Sequence, residues 1–141
     1  MRLFFDEDRG KAVAIALHAV GIPTYYVANH KMPVRKGEPD EVWIPKAGHH
    51  GWLVVSANKA ILEAEAQRRL WIENRVGGVF LTTNHMRSID ELKLLLRKLE
   101  WLQRIDAEEL RPFAFTLTPR GETKRAPEIP LIAPGGRMRL L

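Results

Sequence analysis

Three acidic residues in succession, Asp6-Glu7-Asp8, follow directly on the apolar run Leu3-Phe4-Phe5. Carboxylates gathered at one place repel each other, and a site that keeps several of them ionised usually holds a cation. Oxygen ligands select Mg²⁺ or Mn²⁺ over softer metals. Such an ion polarises a phosphodiester and activates water for in-line attack, which is nuclease chemistry that needs no nucleophilic side chain. The three acids have unequal claims. Asp8 stands where it either caps the first helix or adds to the site. Glu7 reads as a first-turn acid. Asp6 comes too early for the cap and is the strongest ligand candidate. Further along, Asp40 and Asn58 each either cap a helix or complete a site with Asp6.

Other chemistries find less support. There is no phosphate-binding glycine loop, no G-x-S-x-G elbow and no H-E-x-x-H pair. Gly77-Gly78 precedes a strand rather than a helix, so it is no phosphate cradle. His49-His50 ends a helical segment, where a cation meets the helix dipole favourably, and adjacent histidines point apart, which makes a poor chelate. His85 is a candidate substrate contact. Arg9, Lys11, Arg68, Arg69 and Arg87 are candidate contacts to the phosphates of a polyanion, with Arg68, Arg69 and Arg87 read first as solvated helix charges and second as phosphate contacts.

These residues need elements to hold them. Leu3-Phe4-Phe5 is too short for a helix and reads as a strand. Ala12, Ile15, Ala16, Ala19 and Val20 recur at helical spacing, predicting one buried helical face, and Gly21 and Pro23 stop it. Thr24 to Val27 reads as a second strand, and Asn29 to Asp40 as a loop. A short helix follows before Gly51, and Pro45 fits best in its first turn, which predicts a start near Ile44. Trp52-Leu53-Val54-Val55 is a strand covered on both faces. Asn58 to Trp71 is helical, and Gly78 to Thr82 is a fourth strand. Ser88 and Glu91 form a capping box for one long amphipathic helix reaching Arg104. Phe113 to Thr118 is the fifth strand. The tryptophans Trp43, Trp52, Trp71 and Trp101 read as core.

Alternating strands and helices predict a three-layer α/β/α fold on a mainly parallel five-stranded sheet, with a domain over residues 1–118 and a basic, proline- and glycine-rich tail over 119–141. In such sheets ligands bind beyond the carboxyl ends of the strands, where strand order reverses. That rim gathers Asp6, Ser56-Ala57-Asn58, Thr82 to His85 and the segment around Asp40. The chain has 141 residues, suiting one domain. It has no cysteine, which excludes disulfides and thiolate metal sites. A net charge of +5 favours polyanionic or acidic partners. No apolar run is long enough to span a bilayer, and the opening residues are too briefly apolar for a signal peptide, so the expected location is cytoplasmic, with no membrane partner.

Taken in order, three segments resemble a known family. Phe4-Phe5-Asp6-Glu7-Asp8 is similar to the opening of the small PIN-like proteins related to VapC toxins. Pro39-Asp40-Glu41-Val42-Trp43-Ile44 resembles their second acidic motif. Gly51 to Asn58 resembles their third, a strand ending in a threonine-any-aspartate turn. The resemblance spans residues 2 to 118. It implies a metal-dependent endoribonuclease fold, often the toxin of a toxin–antitoxin pair, with the family acids falling on Asp6 and Asp40. Position 58 departs from the pattern: Asn58 replaces the aspartate, Ser56 replaces the threonine, and Ala60 stands where some relatives have another acid. An amide oxygen can ligate a cation without adding charge. Two readings therefore stand: an Mg²⁺- or Mn²⁺-dependent endoribonuclease using Asp6, Asp40 and Asn58, or a catalytically degenerate module on the same scaffold that binds RNA or protein. The tail is a candidate surface for an acidic antitoxin, for RNA or for a second copy in a homodimer.

Overall fold

Short apolar runs alternate with helices in the computed structural model, which describes residues 1–6, 11–26, 40–83, 85–132 and 138–139. In chain order the elements are β1 (Leu3–Phe5), α1 (Lys11–Ala19), β2 (Thr24–Tyr26), α2 (Asp40–His50), β3 (Leu53–Ser56), α3 (Ala60–Glu63), α4 (Glu65–Glu73), β4 (Gly77–Leu81), α5 (Ser88–Arg97), α6 (Leu99–Glu108), β5 (Phe113–Leu117), β6 (Thr123–Arg125), β7 (Leu131–Ile132) and β8 (Met138–Arg139). Six strands form one sheet in the order β2-β1-β3-β4-β5-β6. The first five run parallel, and β6 pairs antiparallel with β5. β1, β3 and β4 are buried along their whole length, as central strands covered on both faces must be.

Helices cover the two faces of the sheet, giving the expected α/β/α layering. One core joins Phe4, Val54 and Phe80 to Trp43, Ile44 and Ala47 of α2, Ile61 and Leu62 of α3, and Trp71 of α4. The other joins Phe5, Val55 and Val79 to Val13, Ala14 and Leu17 of α1, Leu94 and Leu95 of α5, and Leu102 and Ile105 of α6. Trp43, Trp52 and Trp71 are buried, while Trp101 is half-buried edge-on to Phe115. Trp71 also fixes the backbone opposite it. A Cβ on Gly78 would lie 2.8 Å from the Trp71 ring, so β4 passes this indole only without a side chain there.

Several expectations are corrected. The sheet has a sixth strand, supplied by the segment after Pro119, where the sequence predicts irregular chain. Thr123-Lys124-Arg125 is an edge strand of polar residues, so it carries no apolar signal, and its charges suit an edge. Behind it Ala126 and Ile129 are buried in the core. In α1 the buried residues are Val13, Ala14 and Leu17, whereas Ile15 and Val20 are exposed. Both faces of this helix are apolar, and the sheet takes the one that carries Leu17. Helix α2 begins at Asp40, leaving Pro45 inside it. The carbonyl that loses its partner belongs to Glu41, an exposed residue that water can reach.

The helix expected from Asn58 to Trp71 is split at Ala64, whose extended backbone separates α3 from α4. The long helix beyond Ser88 is also two, divided at Lys98. A straight helix over this span would be about 31 Å long, against about 17 Å for a five-residue strand, so it must bend to keep Leu94 and Ile105 on the sheet. Ser88 lies within α5, and the N-cap residue Arg87 makes no side-chain capping bond. The expected capping box does not form, and Arg87 instead pairs with Asp90.

Candidate active site

Strand β1 lies between β2 and β3. The chain leaves β1 to one side to make β2, then crosses to the other side to make β3. The crevice beyond the carboxyl ends of β1 and β3 is therefore the topological switch point of the sheet. Asp6 follows the last residue of β1, and Ser56 is the last residue of β3. Their neighbours Phe5 and Val55 are register partners in the parallel ladder. Side chains alternate faces along a strand. Since Phe5 and Val55 face α1, Asp6 and Ser56 are sent to the opposite face, toward α2 to α4.

The two side chains meet there. The Ser56 hydroxyl donates to Asp6 Oδ2 at 2.9 Å, and the same oxygen of Ser56 accepts the backbone N–H of Asn58 at 3.0 Å. Ser56 is buried, only 3% exposed, and the second carboxylate oxygen of Asp6, Oδ1, is buried as well. A charge-assisted bond of this kind is stronger than a neutral one and fixes the orientation of the carboxylate.

Asp40 approaches from the helical layer. It opens α2, which runs against the strand direction, so its first turn lies at the same end of the sheet as Asp6. The Trp43 indole N–H donates to Asp40 Oδ1 at 2.9 Å. Trp43 is itself packed against Phe4, with ring centroids 5.5 Å apart. A core residue of β1 thus helps to set, through Trp43, where the Asp40 carboxylate sits.

Asn58 Oδ1 accepts the backbone N–H of Ala60 at 3.2 Å, capping the turn that leads into α3. Arg68 donates to the carbonyl of Leu62 at 3.0 Å, closing the end of α3. Arg69 pairs with Glu65 one turn earlier at 2.8 Å. Arg87 holds both oxygens of Asp90, at 2.8 and 3.4 Å, and this bond draws the Asp90 carboxyl below its ordinary range. Lys11 is exposed at the start of α1. Arg9, Glu7 and Asp8 lie outside the described residues. His50 stacks on Trp52 at 4.6 Å rather than joining His49 in a chelate, and His85 is exposed beyond β4. Two positioning interactions have no counterpart in the sequence reading: the Ser56 hydroxyl on Asp6 and the Trp43 indole on Asp40. The second has a readable signal, an acid and a tryptophan one helical turn apart.

Among the described residues no three histidine, aspartate or glutamate side chains converge as a closed metal cage would require. Mg²⁺ does not need such a cage. It is commonly held by one or two carboxylates together with water and substrate phosphate. The donors at this end of the sheet are hard oxygens, the Asp6 carboxylate bonded to the Ser56 hydroxyl and, separately, the Asp40 carboxylate bonded to the Trp43 indole, and the chain has no thiol to offer a softer ion. The donor set fits Mg²⁺ or Mn²⁺.

A family model described as a PIN like domain matches residues 1–83, more than half of the 141-residue chain. The matched segment runs from β1 through β4 and contains Asp6, Asp40, Ser56 and Asn58. Neither a curated protein nor a solved structure matches the chain. With the family match joined to a parallel sheet that carries an acid at its switch point, the chain belongs to the PIN-like domain family, a nuclease-type superfamily.

Proposed function

We propose that this protein is an endoribonuclease that hydrolyses RNA phosphodiesters with Mg²⁺ or Mn²⁺ at the Asp6 rim. The observation that carries the reading is the Asp6–Ser56 pair at the switch point of the sheet, oriented by a buried hydroxyl. Asp6 would anchor the ion, with Asp40 contributing a second carboxylate. Mg²⁺ or Mn²⁺ bound there supplies Lewis-acid polarisation of the scissile phosphodiester. The chain's own task is orientation. Ser56 fixes the plane of the Asp6 carboxylate, and Trp43 keeps one Asp40 oxygen engaged so that the other is presented. The resemblance to VapC-related proteins extends the proposal to the toxin of a toxin–antitoxin pair acting in the cytoplasm, with an acidic antitoxin as partner. Among the described residues no helix is long and apolar enough to cross a membrane. The test is cleavage of a labelled single-stranded RNA by the purified chain: hydrolysis restored by Mn²⁺ or Mg²⁺ after chelation supports the reading, and hydrolysis indifferent to chelation refutes its metal dependence.

A second reading is favoured by one observation. Asn58 stands where the family pattern has an acid, and its amide oxygen is engaged in a local turn. On that reading the scaffold binds RNA or protein without cutting. Asn58→Asp separates the two: cleavage that appears only in the variant means that the natural site is degenerate.

A further inference from the structure

A cavity of about 390 Å³ lies between α5 and the turn that joins β5 to β6, lined by Met86, Asp90, Lys93, Leu94, Arg97 and Pro119. All six residues lie beyond the family-matched segment. Met86 follows β4 and Pro119 follows β5, so the cavity opens at the same carboxyl end of the sheet as Asp6. Neighbouring strands are about 4.8 Å apart, and β3 and β4 stand between β1 and β5. The cavity is therefore two to three strand spacings, about 10–15 Å, across the sheet from the Asp6–Ser56 pair. It lies on the α5 face, so a strand joining the two sites passes over the rim from the face that Asp6 and Ser56 take.

Its charge is lopsided. Lys93 and Arg97 are four residues apart on α5, one above the other on a helical face. Like charges in that arrangement repel. Among the described residues no carboxylate lies within ion-pair distance of either. The one acid in the lining, Asp90, is already held by Arg87 through both oxygens. Two cations consequently line the cavity beside one acid, which is held chiefly by Arg87 from outside it and feels the charge of Lys93 only as a smaller effect.

Arg97 is also seated. Its guanidinium reaches the carbonyl of Pro119 at 3.5 Å and lies over Gly121, where a Cβ would come within 3.2 Å of it. Gly121 has a φ of +91°, a conformation that favours glycine, so the tight β5–β6 turn and the room for the guanidinium have the same origin. Met86, Leu94 and Pro119 give the cavity apolar walls beside its two cations.

We propose that this cavity is a phosphate-binding subsite for the RNA strand, in which Lys93 and Arg97 take a backbone phosphate while Met86, Leu94 and Pro119 face the adjoining nucleoside. The proposal rests on the nuclease reading, deepening it with a second point of attachment that sets the path of the strand along the rim. It implies that RNA long enough to reach from Asp6 to α5 is bound better than a dinucleotide.

The test uses the full chain with Asp6→Asn, to suppress cleavage, and measures anisotropy of labelled single-stranded oligouridine over a salt series. Lys93→Ala with Arg97→Ala should weaken binding on the order of tenfold. It should also reduce the slope of log K against log salt by about 0.7 for each phosphate no longer neutralised. Lys93→Arg with Arg97→Lys should restore the slope. Arg104→Ala, an exposed charge on α6, should behave as the parent. An unchanged affinity and slope in the double alanine variant overturns the subsite, as does a parent chain that does not bind the oligonucleotide. RNA binding by a native chain that never cuts overturns the nuclease reading instead, and the salt slope then still decides the subsite.

Discussion

Ser56 and Asp6 are separated by 50 residues of chain and joined by a 2.9 Å hydrogen bond, at the point where the strand order of the sheet reverses. The bond follows from parallel pairing of β1 with β3. With Phe5 opposite Val55, the next residues on each strand face the same layer. Ser56→Ala removes the donor and leaves a carboxylate without its buried partner. A hydrogen bond to a charged group contributes about 1.5–3 kcal/mol, so thermal unfolding should show a loss in that range. RNA cleavage should fall by about 10–100-fold, as when a group that orients a metal ligand is removed. Ser56→Thr keeps the hydroxyl and should retain most activity. An alanine variant as active as the native chain would show that the hydroxyl does not orient Asp6.

Helix α1 presents Leu17 to the sheet and leaves Ile15 and Val20 exposed, 48% and 69% respectively. Leu17→Ala should therefore cost about 2–5 kcal/mol. Ile15→Ser and Val20→Ser should stay within about 0.5 kcal/mol of the native chain. Urea denaturation of the three variants checks this directly. The reverse ranking would mean that α1 packs on its other apolar face.

His50 has a pKa lowered from its ordinary 6.5, chiefly by burial and then by the nearby positive charges of His49, Arg2 and Lys46. The folded chain thus resists a proton that the unfolded chain accepts. The contribution of His50 is fully present above pH 6.5 and is lost as the pH falls from there toward the lower folded value. Thermal melts of the native chain should shift downward on acidification through this window. His50→Gln should flatten that part of the profile. An equal slope in both chains would assign the effect to other groups.

The sheet was largely legible because β1, β3, β4 and β5 are apolar runs too short for helices, and parallel order follows from the helices between them. Asp6 was legible for the same reason, as the acid that ends a buried strand. What escaped depends on partners far away in sequence. The Ser56 bond exists only because two strands pair in one register. Helix α1 is apolar on two faces, so its spacing satisfies either orientation, and the sheet makes the choice. Strand β6 is read from no apolar pattern, because Thr123, Lys124 and Arg125 sit on an edge where solvent reaches them. The division at Lys98 is set by the dimensions of the sheet beneath it, while the leucine spacing runs through the bend unbroken.

On the proposed function, Asp6 anchors the reaction centre. Asp6→Asn preserves shape while removing the charge. Single-turnover cleavage of labelled RNA in saturating Mn²⁺ should fall by at least about 10²-fold, with the fold intact by circular dichroism and RNA still bound. Cleavage by the asparagine variant at the native rate would place the chemistry elsewhere and rule out Asp6 as the metal anchor.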